Sequence, residues 1–511
     1  MHLATFPRRS LAIAVLLCAI APLRFSDAAG VLKLQIKDRQ TDEPVAARVV
    51  MIGPRGREVP VRRATEAGVG WAIDGQIDLE VPSGDFQFHL TRGPEYRIMT
   101  GNFQIDRTAE DSHTITLERF VDTQAEGWLC GDLFVDRNLR DLPLLMRAED
   151  LDIVAVANRD GDGQPIAQGS ETTRAADANS ETMDIATDNM RDRREGSGLL
   201  IVDADPAIQP VDADAPSSLL FRNARDAPGA RFVVENPFAW DLPIWLASGK
   251  VNGFALMGDF LQLDRSVTRV SNGRPATKPE YNNPLGLGFW ADDIYHQLLE
   301  AGFRIPPVAG SGSGYRTIKN PLGYNRVYVQ CGEQVSPEAF WSGLWTGRSV
   351  VTNGPLLRPR LDAQYPGYVF TSYGNEPLEL QMDLQLGTRD PVDYLEVVYN
   401  GKVIYSARLE EFKDNKGIIP AFTFDRSGWV VARVVTGYEK HYRAAVSAPW
   451  YIVFPDQPRI SRSAAEFFID WLQQREQMLQ KKSPEYIRSV APFIRAARSF
   501  WDERLQQATV D

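Results

Sequence analysis

The stretch that most constrains this chain is Gly127-Trp128-Leu129-Cys130-Gly131-Asp132-Leu133-Phe134-Val135-Asp136. An apolar run of strand length opens into Gly-Asp-Leu and then presents Phe134 and Asp136, which alternation puts on one face. A short helical stretch from Asp141 to Asp150 follows, and Ile153-Val154-Ala155-Val156-Ala157 is a strand buried on both faces. Strand, helix and buried strand in that order predict an α/β unit with parallel strands.

On either side the period is two. Leu32, Leu34 and Ile36 alternate with polar residues, Asp38 to Pro44 supplies a turn, and Phe86, Phe88 and Leu90 resume the alternation. Short strands with turns at this spacing predict a β-sandwich. From Leu361 to about Phe454 the alternation returns through Leu378, Leu380, Met382 and Leu384, and Asn400-Gly401 marks a hairpin. The tail is helical, with a capping box at Ser463-Ala464-Ala465-Glu466 and a second start at Ser483-Pro484-Glu485. Its polar faces mix acid and base, which suits packing on the protein better than a membrane surface. In the middle, helices are predicted at Ile244 to Ser248, at Ala291 to Ala301 and after Ser336-Pro337-Glu338. Between Ala167 and Ser217 the chain turns polar, apart from a strand at Leu199 to Val202. That stretch is expected to be a surface insertion.

Arg8 and Arg9 precede the apolar run Leu11 to Pro22, and Ser26-Asp27-Ala28 offers small residues for cleavage. This is the layout of a secretory signal peptide over residues 1–29, and it predicts an exported protein, periplasmic or extracellular. No other stretch is long and apolar enough to span a bilayer. A net charge of -11 with no basic run excludes nucleic acid and anionic membrane as partners. The expected partner is a small molecule or another exported protein. Cys130 and Cys331 remain after cleavage, and export leaves open both a disulfide and two buried free thiols.

The middle of the chain resembles the PHP (polymerase and histidinol phosphatase) superfamily, in its carbaryl-hydrolase-like branch. The resemblance is carried by Gly127 to Ala157, by Ala309 to Val329, and by Trp345-Thr346-Gly347-Arg348-Ser349-Val350-Val351-Thr352-Asn353-Gly354-Pro355. The first sandwich resembles the carboxypeptidase-regulatory type. The resemblance implies a multidomain α/β plus β protein: a distorted (β/α) barrel over 119–357 with the acidic insertion 167–217, flanked by sandwiches at 30–118 and 358–455. A C-terminal helical hairpin at 456–511 completes it. It also implies metal-dependent hydrolysis of phosphate or carbamate esters at the C-terminal strand ends.

The implied ligands are not here. The family's first His-x-His falls on Phe134 and Asp136, its Thr-Asp-His on Ala157, Asn158 and Arg159, and a later His near Phe260. Its Gly-Ser-Asp-x-His falls on Gly310, Ser311, Gly312, Ser313 and Gly314. Past residue 29 the only histidines are His89, His113, His296 and His441. A metal hydrolase needs lone-pair donors at fixed spacing to generate hydroxide near neutral pH. An aromatic ring supplies none, and Arg159 would oppose a cation. The expectation is therefore a hydrolase scaffold with a dismantled site, acting as a binding or structural protein. Its cleft would involve Asp132, Phe134, Asp136, Asn158, Arg159, Asp259, Phe260, Ser311 and Ser313. The alternative is an active hydrolase with a rebuilt carboxylate site, in which Asp132, Asp136, Asp160 and Asp259, with Asp152 near, hold Mn²⁺, Mg²⁺, Zn²⁺ or Ca²⁺. Asn158-Arg159-Asp160-Gly161-Asp162-Gly163 resembles the start of a Ca²⁺ loop, but its twelfth position is Gly169.

Overall fold

A computed structural model describes residues 29–106, 110–160, 182–194, 198–204, 208–209, 211–212, 214–224, 227–270, 272–374, 376–414 and 418–511. The signal-peptide assignment and most of the Ca²⁺-loop assignment lie outside these residues. The chain is predominantly β, with several sheets, few helices and a helical pair at the C-terminus. Among the described residues no helix is long and apolar enough to cross a membrane.

Two small sheets form the N-terminal part. One pairs Ala29–Asp38 with Gln76–Pro82 and Glu110–Leu117; the other is five-stranded and centres on Ala46–Ile52. The predicted alternation places Leu32, Leu34 and Ile36 against Val49, Met51 and Phe86 in one apolar core.

The middle is a run of strands that neighbour one another in chain order. These are β1 (Trp128–Val135), β2 (Ile153–Asp160), β3 (Asp184–Asp192), β4 (Leu199–Val202), β5 (Arg231–Val234), β6 (Val251–Met257) and β7 (Pro307–Ala309). Neighbours run parallel, as the pattern predicts, except at β4, which is antiparallel to both β3 and β5. The reason is length: residues 193–198 are too few for a parallel crossover, so the chain turns back on itself. The end of the run returns to its start, where Val135 bridges Ser313 and the Asp136 N–H donates to the Ser313 carbonyl at 2.8 Å.

On its other side β1 pairs antiparallel with β8 (Arg326–Gln330), and β8 with β9 (Ser349–Thr352). The Ser349–Thr352 strand then pairs with Ala444–Ser447, so one sheet of fifteen strands continues into the C-terminal half. The boundary expected at 357/358 is therefore no break in hydrogen bonding.

Helices follow their caps. The Pro337–Trp345 helix starts where the Ser336 side chain accepts the Ala339 N–H, and α3 (Pro484–Gln506) where Ser483 accepts the Tyr486 N–H. The cap of α2 (Arg462–Leu479) is Ser461, two residues before the expected Ser463. This helical pair docks on the middle of the chain. Trp501 Nε1 donates to the Pro243 carbonyl at 2.9 Å, Arg475 pairs with Asp241 at 2.6 Å, and the Phe468 and Trp501 rings stack. Cys130 and Cys331 are both buried free thiols.

Candidate functional site at the strand ends

Because β1, β2, β3, β5, β6 and β7 point the same way, the residues that follow them gather on one side. Asp132 is fully buried within β1, all of whose residues are buried. Its Oδ1 accepts the Phe134 N–H at 3.1 Å and the Ser311 N–H at 2.8 Å; its Oδ2 accepts the Gly323 N–H at 2.7 Å and the Ser311 hydroxyl. Burial pushes the carboxyl up, and these four hydrogen bonds oppose it. Every acceptor position of the carboxylate is in use. Asp132 is thus a clamp on the loop after β7, not the metal ligand expected.

Phe134 also differs from expectation. It is fully buried, and a Cβ on Gly310 would lie 2.4 Å from its ring, so the side chain belongs to the core and lines no open cleft. Phe260 is buried too, edge-on to Phe238 with ring centroids 5.0 Å apart. Ser311 and Ser313 are fully buried; the Ser311 hydroxyl accepts the Ser313 N–H at 3.0 Å, and Ser313 Oγ accepts Arg137 Nε at 3.0 Å. Asp136 is half-buried at the end of β1. Asn158, Arg159 and Asp160 lie on β2, with Asp160 opposite Arg191 in register, but their side chains fall outside the described residues.

Gly312 and Gly314 take the places where the resemblance implies a carboxylate and an imidazole. Both have left-handed φ, +68° and +92°. A Cβ at Gly312 would sit 2.7 Å from the Asp259 Cβ, and one at Gly314 only 1.9 Å from the Asp136 carbonyl oxygen. At Gly314 the backbone itself has closed in, whereas Gly312 is hemmed in by the Asp259 and Tyr315 side chains.

What gathers here instead is a cluster that the sequence did not announce. Arg191 ends β3, Arg193 follows it, Glu235 follows β5, Asp259 follows β6, and Tyr315 lies beyond the glycine-rich loop. Arg193 pairs with Asp259 at 2.5 Å and approaches Glu235 at 3.7 Å. Arg191 Nε lies 3.3 Å from Glu235, in ion-pair range but not in hydrogen-bond geometry, while its Nη2 donates to the Val135 carbonyl at 3.2 Å. The Tyr315 hydroxyl donates to Glu235, and both guanidinium carbons lie over its ring, at 4.7 and 4.3 Å from the centroid. Burial disfavours the charge of Arg193, but Glu235 and Asp259 outweigh it, so its pKa lies above the ordinary arginine value. Burial, with Glu235 beside it, pushes Tyr315 well up, so it stays a phenol that donates.

Two guanidinium groups against two carboxylates leave no surplus negative charge for a metal. Among the described residues no three His, Cys, Asp or Glu stand together as a metal site would require. The residues present do not fit a metal cluster, and no chemistry is routed through one. The histidines are elsewhere. His441 donates from Nδ1 to the Tyr442 carbonyl and accepts from the Tyr324 hydroxyl at 2.7 Å, and burial pushes its pKa down to about 4. His296 lies on α1 (Gly286–Glu300) against Trp429.

No family model and no curated protein matches the chain. Among solved structures it is similar at 17% identity to the Bacillus anthracis TIE protein, over 22% of this chain and 20% of that one, with a TM-score of 0.15. It is also similar at 17% to GBS52, the minor pilin of Streptococcus agalactiae, over 19% and 46%, with a TM-score of 0.16. A third likeness, at 10% identity, is to Parabacteroides merdae beta-glucuronidase, over 82% and 61%, with a TM-score of 0.18. In each case the chain spans less than two thirds of the other protein's length, and scores this low carry no argument about this chain.

Proposed function

We propose that this chain is an exported, non-catalytic member of the PHP-type, carbaryl-hydrolase-like scaffold, a ligand-binding or structural protein whose strand-end site has become an ion cluster. The observation that carries the reading is the Arg191–Glu235–Tyr315–Arg193–Asp259 cluster, seated at the ends of a strand run that returns on itself. In a metal hydrolase that region must attract cations; here two guanidinium groups repel them and already pair in charge with Glu235 and Asp259. The crowding at Gly312 and Gly314 supports the same reading, since neither position has space for a ligand side chain.

The test is turnover by the mature protein of bis(p-nitrophenyl) phosphate and 1-naphthyl N-methylcarbamate, with Mn²⁺ or Zn²⁺ added. The expected rate equals that of buffer with the same metal. A protein-dependent rate that falls in Asp259→Asn would overturn the proposal and favour a rebuilt carboxylate site.

A further inference from the structure

The two N-terminal sheets stay apart along one rim. Glu110–Leu117 is an edge strand of the three-stranded sheet and Met99–Ile105 an edge strand of the five-stranded one. Each pairs within its own sheet and not with the other. A cavity of about 120 Å³ lies behind these two edges and reaches into the apolar core. Leu32, Leu34 and Ile115 of one sheet face Val49 and Met51 of the other across it. Phe103 supplies an aromatic wall, stacked on Phe86 with centroids 5.2 Å apart and tilted against Phe88 at 6.2 Å.

The walls can be reached from outside. Leu32 and Leu34 are each 6% exposed, and Phe88 and Phe103 are only half-buried. The polar side chains that line the cavity, Asn102, Asp111 and His113, are all exposed, so they stand at its mouth. Water held deeper would find no polar side chains to bond, whereas an apolar cavity of about 150 Å³ takes up benzene. Period two along the edge strand puts Asp111 and His113 on the same face as Ile115. Asp111 accepts the N–H of its neighbour Ser112 at 2.8 Å and makes no ion pair among the described residues. The mouth therefore carries a negative charge that disfavours an anion.

We propose that this cavity binds a small neutral aromatic molecule. Its single ring enters between the sheets against Phe103, and its polar substituent stays at the mouth beside Asn102 and Asp111. The volume suits one ring, and contact with Phe103 favours an aromatic over an alkyl group. Asp111 selects a neutral substituent over a carboxylate. This is independent of the strand-end cluster and of the reading built on it.

The experiment is titration calorimetry of the full chain with benzyl alcohol, beside benzoate and 1-butanol. Saturable one-to-one binding of benzyl alcohol is expected, with benzoate about fivefold weaker and 1-butanol about threefold weaker or less. The exposed substitution Asp111→Asn is expected to bring benzoate to within about twofold of benzyl alcohol. Leu32→Trp fills the cavity and is expected to weaken benzyl alcohol at least about tenfold. If that variant does not fold, methyl NMR of the unaltered chain locates the ring, with the Leu34, Val49 and Ile115 signals expected to shift. No saturable binding, 1-butanol bound as tightly as benzyl alcohol, a benzoate preference unchanged in Asp111→Asn, or shifts confined to methyls outside this sandwich would each overturn the proposal.

Discussion

A carboxylate that accepts three backbone N–H groups and one hydroxyl, as Asp132 does, works as a structural fastener. Asp132→Ala leaves those buried donors unpaired and is expected to cost about 3 kcal/mol or more, measured by urea unfolding. Unchanged stability would return Asp132 to the list of functional acids. Gly314→His tests the closed backbone: with a φ of +92° and a carbonyl 1.9 Å from the new Cβ, it is expected to destabilise by at least about 2 kcal/mol. Two groups give opposing pH slopes. Burial pushes Asp152 up to about 7 from 3.8. The folded state then holds a proton that the unfolded chain has lost, so this contribution to stability is present below 3.8 and is lost as pH rises to about 7. His441, pushed down to about 4 from 6.5, contributes stability present above 6.5 and lost as pH falls to about 4. Comparing stability at pH 4 and pH 8, Asp152→Asn is expected to gain about 1–2 kcal/mol on wild type at the higher pH, discounted because the residue is half-buried. Identical pH profiles would show that Asp152 titrates normally.

The element that decides the site is β3, and it explains what the sequence concealed. Asp184-Ile185-Ala186-Thr187-Asp188-Asn189-Met190-Arg191-Asp192 carries little apolar signal, so its sequence reads as part of a polar insertion. Its alternation is present but polar: Ile185, Thr187, Asn189 and Arg191 are all buried. A strand whose inward face serves an ion cluster loses the hydrophobic pattern by which strands are recognised. Strands with apolar inward faces, such as β1, the Ile153–Ala157 part of β2, and the N-terminal Leu32–Ile36 alternation, were legible. So were the helix starts at Ser336 and Ser483. The cluster itself was not, because residues 191, 193, 235, 259 and 315 have no common local spacing and only strand order brings them together. Arg191→Met is expected to cost about 3–5 kcal/mol, because it leaves Glu235 charged and buried against fewer partners. Adding Glu235→Gln is expected to recover part of that loss, and a purely additive double variant would mean that the two side chains do not interact.

At the scale of the whole molecule, the continuous sheet and the docked helical pair tie the middle of the chain to its C-terminal half. Trp471 and Trp501 are fully buried in that contact. A chain ending at residue 455 would expose the surface around Trp245 and Pro243, and it is expected to aggregate or to unfold at lower urea than the full chain. Within this architecture the strand ends of the middle run hold guanidinium charge. The most direct test of that claim is metal content by inductively coupled plasma mass spectrometry, after the protein is incubated with Zn²⁺, Mn²⁺ and Ca²⁺ and then desalted. The expected result is no near-stoichiometric transition metal, in wild type and in Asp259→Asn alike. Near-stoichiometric Zn²⁺ or Mn²⁺ that is lost in Asp259→Asn would contradict the account.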